Sequence, residues 1–188
     1  MPAKISLLDL GEIPMAMAQI LNVYWEAFSQ PPYNRDQADV ISFQESFKRH
    51  MQRSGFRCMA AWDPDPTRLA GFAYGYSSAP GQWWHELVKS TLQSRLGQEQ
   101  ASFWLGDTFE LVELAVRPAW QGQGIGGRLH DLLLEGLPHR TALLSTLKAE
   151  TSALHLYHKR GWVTLIDEFY YSSIRKPYRI MGFRLQPD

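Results

Sequence analysis

The chain has 188 residues, 45% of them apolar, and its 19 lysines and arginines equal its 19 aspartates and glutamates. That length and composition suit one domain over residues 1–188 with a full hydrophobic core, and the balanced charge excludes a global field that would draw the protein to nucleic acid or an anionic membrane. The single cysteine, Cys58, excludes an internal disulfide, no basic-then-apolar leader opens the chain, and no run approaches the ~20 apolar residues of a membrane span, so the expectation is a soluble cytoplasmic protein with a buried structural thiol.

Ile5 to Leu10 reads as a short first strand. Pro14 suits a first helical turn, and a helix from Met15 follows, with Ile20, Leu21, Tyr24, Trp25 and Phe28 at helical spacing before Gln30-Pro31-Pro32-Tyr33 ends it. A second helix runs from Asp36 to about Arg53, with Val40, Phe43, Phe47 and Met51 along one stripe and Gly55 closing it. Phe56 to Trp62 and Leu69 to Tyr76 form a hairpin around Asp63-Pro64-Asp65-Pro66-Thr67-Arg68. Residues 77–107 break the rhythm: Ser77 to Gly81 is turn-like, Trp83 to Leu96 suits a helix, and Gly97 to Asp107 reads as irregular. Thr108 to Val116 is a strand, Gly124 to Leu137 a helix, Thr141 to Leu147 a strand and Ser152 to Arg160 a helix, with final strands near Trp162 to Tyr171 and Arg179 to Leu185. The order fits an α/β (α+β) fold: a mixed sheet of about seven strands, mostly antiparallel, with one parallel pair across the helix that begins at Gly124.

The most informative stretch is Val116-Arg117-Pro118-Ala119-Trp120-Gln121-Gly122-Gln123-Gly124-Ile125-Gly126-Gly127-Arg128, where a strand enters a glycine-rich turn that opens a helix. Glycines leave backbone N–H groups uncovered, and a helix start adds unpaired donors with roughly half a positive charge, so the pattern predicts a phosphate-bearing ligand. A P-loop is excluded, because Arg128-Leu129 follows Gly127 where Lys-Ser or Lys-Thr is required. Gly122, Gly124 and Gly127 do satisfy the dinucleotide fingerprint G-x-G-x-x-G, with Glu150 about 20 residues on. Against it, Arg117 to Gln121 separate strand from glycine, and too little chain follows Glu150 for repeated βαβ units.

Gln121, Gly124 and Gly126 meet the third pattern, Gln/Arg-x-x-Gly-x-Gly/Ala, and here the chain resembles the GNAT superfamily of N-acetyltransferases. Ala153-Leu154-His155-Leu156-Tyr157-His158-Lys159-Arg160-Gly161-Trp162 is similar to that family's second signature. The two signatures cover about residues 109 to 162, and the earlier half matches in the order of its elements. The resemblance implies acetyl-coenzyme A as acetyl donor and no metal. Its pyrophosphate would lie over the amides of Gln123, Gly124, Ile125, Gly126, Gly127 and Arg128, with Gln121 and Gly122 also on the cofactor side, and its pantetheine would add to the strand edge at Leu114, Ala115 and Val116. Lys159 would be a further phosphate contact. Thr151 and Glu150 stand where many members carry a pantetheine-binding asparagine, and Thr151 takes that place here.

An acceptor amine with a pKa near 10.4 is neutral in only about 0.04% of molecules at pH 7, so the reaction calls for a base. Glu110 and Glu113 are the carboxylates on the central strand, and their odd spacing sends them to opposite faces. The resemblance favours Glu113 as base, with Glu110 on the acceptor side, and Tyr157 as the acid that protonates the departing thiolate. Backbone amides beside Ala115 and Val116 would hold the oxyanion. Trp83, Trp84, His85, Glu86, Phe103 and Trp104 would wall the acceptor, a small-molecule amine or a peptide, with Glu86 or Asp107 attracting a cation, and the first two helices would flank its entrance. His155 and His158 lack a third ligand at metal-site spacing, and Arg175-Lys176 with Arg179 reads as a solvated loop. Homodimers are frequent among such proteins. The rival reading is a non-catalytic acyl-coenzyme A binding or sensing module.

Overall fold

The computed structural model describes residues 3–64, 68–171 and 176–186. In chain order the elements are β1 (Lys4–Leu7), α1 (Ile13–Phe28), α2 (Gln37–His50), β2 (Arg57–Trp62) and β3 (Leu69–Ser78). Then come α3 (Trp83–Leu96), α4 (Gln98–Leu105), β4 (Thr108–Val116), a 3-10 turn at Pro118–Trp120 and α5 (Ile125–Leu134). The chain ends with β5 (Thr141–Leu147), α6 (Ser152–Lys159), β6 (Val163–Phe169) and β7 (Tyr178–Arg184). The strands follow the order β1-β2-β3-β4-β5-β7-β6 in a seven-stranded mixed sheet. The β4–β5 pair is parallel, as the sequence predicts, and crosses over through α5. Residues 65–67 of the predicted hairpin tip and Arg175 lie outside the described residues.

The chain forms two compact units, the first made of residues 1–76 and 112–135. α1 starts at Ile13, two residues before the expected Met15, and Pro14 sits in its first turn, where the missing N–H costs nothing. Ile13, Ala16, Ile20, Val23 and Tyr24 are then buried at helical spacing. A capping box fixes the start of α2: Asp39 N–H donates to Asp36 Oδ1 and Asp36 N–H to Asp39 Oδ2, both at 3.0 Å. That helix ends at His50 rather than near Arg53, and Gly55 adopts φ 68° in the turn beyond. Tyr24 stacks on Phe43 with ring centroids 4.1 Å apart, and Phe47 meets Tyr74 edge-on at 4.6 Å. β1 stops at Leu7, short of the predicted Leu10: Leu8 N–H donates to Cys58 O at 2.8 Å and the chain turns toward α1. Cys58 itself is buried, and burial pushes its thiol up to about 12, the inert structural group expected from its apolar run.

The second unit comprises residues 77–111 and 136–188. Where the sequence reads as irregular over Gly97–Asp107, it holds the helix α4. Gly97, at φ 89°, breaks α3 and starts α4, and the polar first turn Gln98-Glu99-Gln100 hides an apolar face of Ala101, Trp104 and Leu105. Trp84, Val88 and Leu92 of α3 join that face in a cluster with Leu143, Ile166 and Ile180. Gly182 of β7 is fixed by contact, because a Cβ there would come within 2.6 Å of the Trp104 ring. β6 is the last strand of the order, and its exposed Asp167 and Glu168 share Lys148 at 2.8 and 3.0 Å, while Arg179 Nε reaches Asp167 at 2.7 Å. No helix among the described residues is long and apolar enough to cross a membrane.

Candidate active site

In the first unit, β4 delivers the chain to the glycine turn and a buried arginine holds it there. Arg117 is 5% exposed. Its Nε donates to Leu69 O at 2.5 Å, Nη1 to Glu26 Oε1 and Nη2 to Gln19 Oε1 at 3.3 Å, while its backbone N–H donates to Ala70 O at 2.9 Å. Gln121 Nε2 donates to Val116 O at 2.9 Å and closes the loop over its own strand. Gly122 and Gly124 follow at φ 73° and 77°, left-handed conformations that disfavour any side chain. α5 begins directly afterwards with no side-chain cap, and its first intrahelical bond is Arg128 N–H to Gly124 O at 3.1 Å. The amides of Ile125, Gly126 and Gly127 therefore have no carbonyl one turn back to receive them. A Cβ at Gly122 or Gly124 would meet nothing within 4 Å, so the turn ahead of these donors is open. The helix ends at Leu134, before the predicted Leu137, because Glu135 is extended and Gly136 left-handed. Arg128 Nη1 donates to Ala3 O at 3.1 Å, which engages part of the guanidinium expected to meet phosphate. Gln123 Nε2 likewise donates to Ala119 O at 3.2 Å.

The strand edge expected to receive pantetheine is half-buried at Leu114 and buried at Ala115 and Val116. Gly71 on β3 lets β4 approach: a Cβ there would lie 2.7 Å from Ala115 O and 3.2 Å from Leu129 Cδ1. Glu113 is half-buried yet closely surrounded by protein. Desolvation pushes its carboxyl up to about 8, against the opposing pulls of the Arg35 guanidinium and the Leu114 amide. A group titrating there suits a base working near neutral pH.

In the second unit, Tyr157 is 5% exposed on α6, its ring tilted against Trp162 at 5.7 Å, and Trp162 in turn stacks on Phe183. Thr151 is the α6 N-cap. Its Oγ1 accepts Leu154 N–H at 3.1 Å and caps the helix, and its carbonyl oxygen lies 2.9 Å from His155 Nδ1. Lys159 is exposed. Glu110, on the other part of β4, is buried at 5% exposure, and its charge helps hold the Tyr171 phenol high, after the larger effect of desolvation, at about 12. Tyr171 Oη accepts Trp84 Nε1–H at 3.0 Å and lies 2.6 Å from Ser145 Oγ. Trp84 is thus buried and committed, whereas Trp83 is 64% exposed and stacks on the Tyr171 ring at 5.8 Å. Glu86 accepts the Gly81 amide at 2.8 Å, which holds its carboxyl below the usual range. Phe103 faces the guanidinium groups of Arg140 and Arg184, and Asp107 Oδ2 accepts Arg140 N–H at 3.2 Å.

The profile of the Acetyltransferase (GNAT) family matches residues 17–162. This chain belongs to the GNAT family. A GCN5-like protein acetyltransferase of Mycobacterium tuberculosis is 34% identical over 118 residues, which are 61% of this GNAT chain and 57% of that protein. The chain thus spans little more than half the length of that curated relative. Among solved structures, the ribosomal-protein-S18-alanine N-acetyltransferase of Escherichia coli superposes with a TM-score of 0.62 at 17% identity, over 99% of this chain and 96% of that one. An acetyltransferase of Salmonella typhimurium, solved with its cofactor acetyl-CoA, gives 0.60 at 14% identity over 100% and 96%. At these identities the likeness is one of fold. GNAT membership also removes the dinucleotide reading of the glycines.

Two groups that organise the site escape a reading of the sequence. Arg117 looks like an ordinary surface residue after a strand, and only its three separate partners from α1 and β3 reveal a clamp. Gly71 sits in an apolar run where its lack of a side chain has no visible purpose until β4 lies against it. A signal was available for Arg117, since a lone charge between Val116 and Pro118 leaves an apolar strand for a structured turn.

Proposed function

We propose that the chain is a single N-acetyltransferase domain, residues 1–188, that moves an acetyl group from acetyl-coenzyme A to a primary amine of a small molecule or peptide by direct transfer in the cytoplasm. The observation that carries this reading is the row of uncapped amides at Ile125, Gly126 and Gly127, opened by two left-handed glycines. Donors so arranged fit a pyrophosphate without help from a metal. When bound, acetyl-coenzyme A supplies the activated acetyl group and a thiolate leaving group. Ala115 and Val116 offer main-chain groups along the pantetheine and to the oxyanion. Glu113 takes the proton from the amine, and Tyr157 returns one to the sulfur. Trp83 and Glu110 belong to the acceptor side in this reading, and the exposed ring of Trp83 is suited to a cationic amine.

The test is free-thiol release from acetyl-coenzyme A in the presence of small amines, amino acids, antibiotics and N-terminal peptides. Turnover on any of these, lost in Gly124→Val, supports the reading. Tight coenzyme A binding with no turnover on the whole panel would instead identify an acyl-coenzyme A sensor. Failure to bind coenzyme A at all would overturn both. Glu113→Gln and Glu110→Gln separate the two carboxylates, because only loss of the true base removes the dependence of rate on pH.

A further inference from the structure

The α3–α4 hairpin borders a cavity of about 250 Å³. Its lining includes apolar Pro80, Ala101 and Leu105 and polar His85, Lys89 and Ser102, with Gln93, Gln98 and Gly106 completing it. His85 is 2% exposed, and Ser78 Oγ lies 3.1 Å from its Nδ1. In the tautomer that suits an anion, Ser78 Oγ–H donates to Nδ1 and the ring proton rests on Nε2, a donor without a partner among the described residues. Desolvation holds this imidazole below its ordinary range against the pull of Glu86, with Lys89 adding to the effect, so the ring is neutral at pH 7.

A second donor follows from the direction of a side-chain relay. Gln93 Nε2 donates to Gln98 Oε1 at 2.6 Å, and Gln98 Nε2 donates to Ser102 Oγ at 3.3 Å. Ser102 thus accepts along the relay and keeps its own proton to give. Lys89 adds an ammonium, the one formal charge among the described lining residues, and no carboxylate lines the cavity. A cation would be repelled here, while an uncharged guest would desolvate the ammonium without compensation. Two neutral donors beside one cation match the lone pairs of a carboxylate.

We propose that this cavity binds a small monocarboxylate, its oxygens held by Lys89, Ser102 and His85 and its apolar body set against Pro80, Ala101 and Leu105. The volume lies below the ~300–1,000 Å³ of drug-sized pockets, which limits the guest to a small acid. The site shares His85 with the expected acceptor wall but no residue with the glycine turn, so acid binding is measurable apart from acetyl-coenzyme A.

Isothermal titration of the full chain with benzoate and with hexanoate tests this, with benzamide as the uncharged control. At least one acid should bind saturably with a Kd of about 0.1–10 mM, benzamide at least about tenfold more weakly, and saturating coenzyme A should leave the acid's affinity unchanged. Lys89→Met should weaken binding at least about tenfold, and Ser102→Leu, at an exposed position, should abolish it by filling the mouth. Absence of saturable binding by both acids, equal binding of benzamide, displacement by coenzyme A, or retained affinity in Ser102→Leu would each overturn the proposal. If Lys89→Met fails to fold, the Ser102→Leu result decides alone.

Discussion

Replacing Glu113 by glutamine should change how stability depends on pH, and the sign follows from the direction of its shift. The folded protein raises this carboxyl from 4.5 to about 8. Between those values the folded chain keeps a proton that the unfolded chain has released. The contribution of Glu113 is therefore fully present below about pH 4.5 and is lost as pH rises through 8. The whole shift corresponds to at most roughly 5 kcal/mol, less what solvent reaching this half-buried group takes back. Between pH 6.5 and 8 the slope is about 1.4 kcal/mol per pH unit, so wild type should lose up to about 2 kcal/mol from this group. His50 does not interfere there. Burial lowers it to about 4, so its own contribution rises with pH and is complete above its ordinary value of 6.5. Urea midpoints at pH 6.5, 7.2, 8 and 9 measure the effect, converted with a common m-value. Glu113→Gln carries no titrating proton and should flatten the decline over this window. Equal slopes in the two proteins would refute the claim that Glu113 is a neutral carboxyl at pH 7, and with it the argument that it is a base poised to ionise.

Four further outcomes follow from the same geometry. The rate of acetyl transfer to an acceptor of low amine pKa should rise roughly tenfold from pH 7 to 9 as Glu113 ionises, and Glu113→Gln should remove that limb in a thiol-release assay. Tyr157→Phe should lower kcat by about 100-fold or more while coenzyme A affinity by calorimetry stays within about twofold. Gly71→Ala forces a methyl group against the Ala115 carbonyl oxygen. It should cost about 1–3 kcal/mol by chemical denaturation and weaken coenzyme A binding. Arg117→Met leaves the Leu69 carbonyl and Glu26 without their donor, and should cost about 3 kcal/mol, read as a lowered melting temperature.

Elements whose cues lie within one turn or one strand were legible in the sequence. Thr108–Val116, Thr141–Leu147 and Trp83–Leu96 fall where alternation or helical spacing puts them. Helix ends were less so, because residues such as Leu137 continue an apolar rhythm after the backbone has turned at Glu135 and Gly136. α4 was missed for a related reason: its buried residues are too few for a periodic signal, and their partners come from α3, β5 and β7. In the site, the glycine turn could be read because backbone conformation is written into glycine itself. The raised Glu113 could not, since its cause is burial, and burial of a strand carboxylate depends on everything packed around it. Thr151 shows another limit, since the resemblance that marks its position says nothing of the capping bond it makes to Leu154.

The charged margin at β6 has a consequence for the protein's behaviour at high concentration. A terminal strand offers unpaired main-chain groups to any other chain, and Val163 and Tyr170 leave apolar surface at both ends of this one. The carboxylates of Asp167 and Glu168, tethered by Lys148 and Arg179, oblige an incoming strand to strip water from a fixed cluster of ions before it can pair. Solubility at this border therefore rests on four side chains acting as a hydrated fence, and neutralising them would turn it into a seam for self-association.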